Sequence, residues 1–113
     1  MSLLNYQQAQ VKTESPKQTE YRLFAQVTRA LMEAEGHGPM AVIKAVDWNR
    51  RMWIALQADC ASEQNALSQD IRAGIISLAI WVNKHSRDVI KKKAEVQPLI
   101  DVNRTIMAGL STA

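Results

Sequence analysis

The sequence predicts an all-α protein, a small bundle of four to five helices around a central apolar helix. Three observations carry this. Apolar residues recur at three- and four-residue spacing through four long segments, the period of a helix with one buried face. Those segments are divided by Gly36-His37-Gly38-Pro39 and by polar stretches. No segment reads as a strand.

The first helix begins at Ser15-Pro16-Lys17-Gln18, an N-cap followed by proline at the first helical position and glutamine at the third. It runs to about Glu35, with Leu23, Phe24, Val27, Ala30, Leu31 and Ala34 turned inward. Two glycines and a proline then end one helix and open another. The second spans about Pro39 to Ala58, and the polar stretch Asp59 to Leu67 links it to a third with Ser68 as N-cap. In the third, Ile71, Ile75, Leu78, Val82 and Val89 form one stripe while Ile76, Ile80 and Trp81 fall outside it. A helix apolar nearly all round belongs at a bundle's centre or under a cap, so this is the expected central helix. The fourth runs from about Pro98 to Leu110. Residues 1–14 stand apart as an N-terminal arm, within which 3–11 read as a short extra helix or a frayed end. Leu78, Val82, Trp53 and Ile106 are the expected core.

At 113 residues the chain suits a single helical domain spanning 1–113, with room for one core. Its apolar content of 47% is globular, and its longest apolar run, Gly74 to Val82, is far short of the roughly 20 residues a membrane span needs. The start lacks a basic segment followed by an apolar one, so no secretory signal is expected. One cysteine, Cys60, excludes an internal disulfide and a thiolate metal cluster, and the cytoplasm is the expected compartment. The net charge of +3 arises wholly in residues 68–113, chiefly from Lys84, Arg87, Lys91, Lys92 and Lys93 against Asp88. Cations near a helix end complement the macrodipole. The alternative is contact with phosphate or an acidic partner, although no aromatic-basic RNA signature accompanies the run.

Catalytic chemistry is not in view. Phosphate-binding glycine loops, zinc signatures and nucleophile elbows are lacking. His37 and His85 are too few for a metal centre, and the His85–Asp88 spacing is read as structural rather than as an acid-base pair. Cys60 has no base beside it in sequence and reads as a small hydrophobe. The expectation is a non-enzyme without metal or cofactor.

A heptad recurs: Asp47-Trp48-Asn49-Arg50-Arg51-Met52-Trp53 and Asp101-Val102-Asn103-Arg104-Thr105-Ile106-Met107. At 100° per residue Asn49 sits mid-stripe among Val46, Met52 and Trp53, and Asn103 sits likewise among Leu99, Ile100 and Met107. An amide buried without partners costs about 1 to 3 kcal/mol, so each must bond the other or helix-end backbone, which makes them structural, buried polar residues. Trp48 lies about 100° from its stripe and either widens the core contact or serves, with Arg51, as an interface anchor. On the first helix Tyr21, Ala25, Thr28 and Met32 form a second stripe fit for the N-terminal arm, a partner helix or a second copy. Trp48, Arg51, Tyr21, Thr28 and Met32 are thus the candidate partner-binding residues.

The succession Thr19-Glu20-Tyr21-Arg22-Leu23-Phe24-Ala25-Gln26-Val27-Thr28, then Asp47 to Trp53, then Ile76-Ser77-Leu78 with Trp81-Val82, then Leu99 to Met107 resembles the FlaF family of flagellar biosynthesis regulators. The resemblance covers about Tyr6 to Leu110 and is specific as an ordered set of four blocks. It implies a small cytoplasmic non-enzyme that promotes flagellin production and filament assembly, acting against a partner regulator, FlbT, that restrains flagellin translation. It brings no catalytic or ligand residues. Two mechanisms follow as expectations: a flagellin-binding, chaperone-like factor, favoured by apolar flanks and tryptophans, or a regulator acting on flagellin mRNA directly or through FlbT.

Overall fold

The structure, a computed structural model, describes residues 16–112. It consists of α1 (Pro16–Ala34), α2 (Pro39–Ala61), α3 (Gln69–Ile90) and α4 (Gln97–Thr112), with no strand among the described residues. The expected N-terminal arm and the Ser15 cap lie outside those residues, as does the Leu110 side chain.

Local chemistry sets the boundaries. Between α1 and α2 the chain turns through Gly36 and Gly38, at φ 88° and 94°, a left-handed conformation that only glycine adopts cheaply. Helix α2 opens with proline at its start and continues three residues past the expected end at Ala58. Its last carbonyls find donors from beyond the helix: Asn65 Nδ2 donates to the Asp59 carbonyl at 3.1 Å, and Arg72 Nε to that of Cys60 at 2.7 Å. Orphan carbonyls satisfied in this way allow the extra turn. Ser68 caps α3, its Oγ accepting from the Ile71 N–H at 3.4 Å. At the other end of α3, Lys92 stands at φ 61°, and the amides of Lys92 and Lys93 return to the Val89 and Asp88 carbonyls at 3.0 and 2.8 Å. These are the two bonds of a Schellman closure, with lysine where glycine is usual.

Helix α2 packs most extensively on α3 and also on α1, while α4 packs along α1 and reaches α2 through Asn103. Thr28 lies opposite Met107 and Met32 opposite Arg104, so α1 and α4 run antiparallel. The core gathers Phe24, Val27 and Leu31 from α1, Val46 and Trp53 from α2, Val82 and Val89 from α3, and Leu99 and Ile100 from α4. Ala45 on α2 and Ala79 and Ser86 on α3 are small and buried.

Several expectations change. The helix expected at the centre, α3, sits at the edge, because its one extensive neighbour is α2; Ile80 and Trp81 remain 59% and 36% exposed. Trp81 instead stacks on His85, with ring centroids 4.8 Å apart, and His85 Nε2 bonds the Glu95 carbonyl at 2.7 Å, tying α3 to the approach of α4. Trp53 and Val82 are fully buried, whereas Leu78 and Ile106 are only half-buried, since α3 and α4 touch sparingly. Leu23, expected inward, is exposed at the rim of the α1–α2 seam.

Asn49 and Asn103 are both fully buried. Asn103 Nδ2 donates to Asn49 Oδ1 at 2.8 Å, and the Trp53 indole Nε1 donates to Asn103 Oδ1 at 2.9 Å. This short chain joins α2 to α4 and fixes the rotation of α2 about its own axis, because any other rotation strands buried amides. Asn49 Nδ2 and Ser86 Oγ are buried without a partner.

Candidate functional site: the α1–α2 seam

Trp48 precedes Asn49 and so lies 100° around α2 from the anchored position, on the flank that faces α1. There it walls a groove of about 390 Å³ lined by Ala30, Glu33, Ala34 and His37 on the α1 side and Ala41, Lys44 and Ala45 on the α2 side. Four alanines form the floor, two on each helix at i, i+4 spacing. Such small side chains leave space that a larger apolar group can fill. Trp48 is 42% exposed, so a large aromatic face is in water beside that floor.

Further along the same two helices is a second groove of about 190 Å³, lined by Leu23, Phe24, Met52, Ala55 and Leu56 with Glu20 and Asp59 at its edge. Burial, with the Asp59 charge added, pushes the Glu20 carboxyl above the usual carboxylate range. The seam is therefore mainly apolar, edged by Glu20 and Asp59 at the α1 N-terminal end and by Glu33, His37 and Lys44 at the other.

Arg51, one turn on from Trp48, is exposed and pairs with Asp47, which also receives Arg50 Nη2 at 3.2 Å. The Arg50 hydrogen bond foremost, with Arg51 adding to it, holds the Asp47 carboxyl below its ordinary range. Arg51 is not among the residues that line the groove, and its guanidinium is engaged by Asp47.

The other candidates do not join this groove. Ala30 and Met32 differ by 200° on α1, that is 160° apart, so the Tyr21–Met32 flank faces α4 rather than Trp48. Tyr21 and Met32 are exposed there, at 40% and 47%, and Arg104 Nη2 reaches Met32 Sδ at 3.5 Å. Thr28, placed by sequence on the partner-facing flank, is buried; its hydroxyl donates to Met107 Sδ at 3.9 Å under the cover of α4. Sequence periodicity alone does not say which flank a neighbouring helix covers. The alanine floor has a signal in the sequence, where Ala30/Ala34 and Ala41/Ala45 flank the glycine turn, but helical spacing alone reads Ala30 and Ala34 as core.

Cys60 is fully buried, and its thiol is pushed up by that burial, with the Asp59 charge adding to it. Among the described residues no three His, Cys, Asp or Glu side chains gather as metal ligands, and no helix is long and apolar enough to cross a membrane.

The sequence model of one family, described as flagellar protein FlaF, matches residues 2–110 of the chain. No curated protein and no solved structure matches it.

Proposed function

The chain belongs to the FlaF family of flagellar proteins, and on that premise we propose that it is a cytoplasmic, chaperone-like factor that binds flagellin and so promotes flagellin production and filament assembly. The half-exposed Trp48 beside an alanine-floored seam carries this reading. A seam between two helices, mainly apolar and walled by an aromatic ring, suits an amphipathic helix laid into it. Burying the indole face and filling the space over Ala30, Ala34, Ala41 and Ala45 supplies the affinity, while Lys44 meets charge at the rim. No enzymatic step is part of this proposal; binding is the activity, and FlbT is its counterpart on the translational side.

The alternative, action on flagellin mRNA directly or through FlbT, draws on Lys91, Lys92 and Lys93. Titration of unassembled flagellin into the full chain, by calorimetry at about 100 μM, separates the two. Flagellin binding is expected, with Trp48→Ala weakening it by about 2 kcal/mol or more. Absence of flagellin binding, together with binding of the flagellin leader RNA that falls steeply with salt, would replace the chaperone reading by the RNA-directed one.

A further inference from the structure

At the end of the bundle away from the Glu20–Asp59 groove, the α1–α2 turn meets the close of α3 around a cavity of about 410 Å³. Its walls are Gly36, Gly38, Pro39, Val42, Ile43, Val89 and Ile90, and its one charged lining residue is Lys92. Lys91 and Lys93 flank that residue, and none of the three forms an ion pair among the described residues. The acids nearest in sequence, Asp88 and Glu95, leave them free. An aliphatic cavity thus opens beside Lys92, with Lys91 and Lys93 next to it in the chain and none of the three in an ion pair among the described residues.

We propose that this cavity is a docking site for an acidic peptide segment, which inserts one aliphatic or aromatic side chain between Val42, Ile43, Val89 and Ile90 and sets its neighbouring carboxylates against Lys91–Lys93. The site is separate from the α1–α2 seam and does not depend on the flagellin reading. Charge complementarity names the occupant: apolar walls require a side chain, and unpaired ammonium groups beside them favour carboxylates. Single-stranded RNA fits less well, because stacking platforms for bases are aromatic and every apolar wall here is aliphatic.

The backbone at Lys92 agrees. A left-handed residue closing a Schellman turn is ordinarily glycine, which makes the same two bonds without the cost that a Cβ brings. Lysine stands there at φ 61° nonetheless, as the cavity's charged wall. Cations complementing the helix dipole would do so equally from Lys91 and Lys93, so the dipole does not account for a lysine at the strained position.

Fluorescence anisotropy of the full chain with a labelled octapeptide of alternating leucine and glutamate tests this. Binding is expected, and it should be lost when the peptide's leucines become serines or its glutamates become lysines. Lys92→Gly is expected to raise the melting temperature by about 4 °C, because the strain is relieved, while weakening the octapeptide about threefold to fivefold. Ile90→Glu, at a partly exposed wall, should abolish binding with the fold retained by circular dichroism. Unchanged affinity in Lys92→Gly overturns the proposal, as does equal binding of the serine peptide. Tighter binding of octauridylate than of the octapeptide would overturn it in favour of a phosphate-backbone site.

Discussion

Trp48 and Trp53 sit five residues apart on the same helix and do opposite things. Trp53 is 1% exposed, donates its indole N–H to Asn103, and meets Phe24 edge-on with ring centroids 5.6 Å apart at 85°. Trp48, 140° around the helix, leaves 42% of its surface in water over a floor of alanines. The difference is set by the residue next to Trp48. Because the Asn49–Asn103–Trp53 chain holds α2 in one rotation, the first tryptophan is presented as firmly as the second is buried. A fold anchor thereby positions the surface proposed to bind a partner.

The largest expected effect breaks the comparison at its anchored side. Trp53→Ala removes a fully buried ring and should cost about 3 to 5 kcal/mol in urea unfolding, whereas Trp48→Ala should cost less than about 1 kcal/mol. Similar losses for the two variants would mean that Trp48 belongs to the core and not to a surface.

Next come the asparagines. Asn103→Ala leaves both Asn49 Oδ1 and Trp53 Nε1 buried without partners, for about 2 to 5 kcal/mol. Asn49→Ala strands only Asn103 Nδ2 and removes an amide nitrogen that already lacks a partner, so about 1 to 2 kcal/mol is expected. Denaturant midpoints of the two variants measure the asymmetry, and a larger loss for Asn49→Ala would reverse the assigned direction of the chain.

The smallest effect sharpens the seam side. Folding raises the affinity of the Glu20 carboxyl for its proton, chiefly by burial against the groove. The folded state therefore binds more protons than the unfolded between the ordinary carboxylate pKa and the raised one, stability falls as pH rises through that window, and the deficit persists above it. Glu20→Gln should raise the melting temperature slightly at about pH 7 and leave it unchanged near about pH 3, where both states are protonated. A rise at both values would point to something other than this carboxyl's titration.

The sequence by itself determined four helices, because three-four apolar spacing, the Gly36–Pro39 turn and the Ser68 cap are local signals that need no neighbour. It also specified that Asn49 and Asn103 lie inside, since an amide amid an apolar stripe has nowhere else to go. Leu23 and Ile80 are as apolar as their buried neighbours, and Thr28 sits on the same flank as Met32; nothing local distinguishes those that end in water from those that end under another helix. That was decided by tertiary packing alone. Helix α4 settles against the Thr28 side of α1 and makes little contact with α3, which moves α3 from the centre to the edge, exposes Ile80, and leaves the Trp48 seam uncovered. Helical periodicity states how far around an axis a residue lies, but the direction that counts as inward exists only once the other helices are in place.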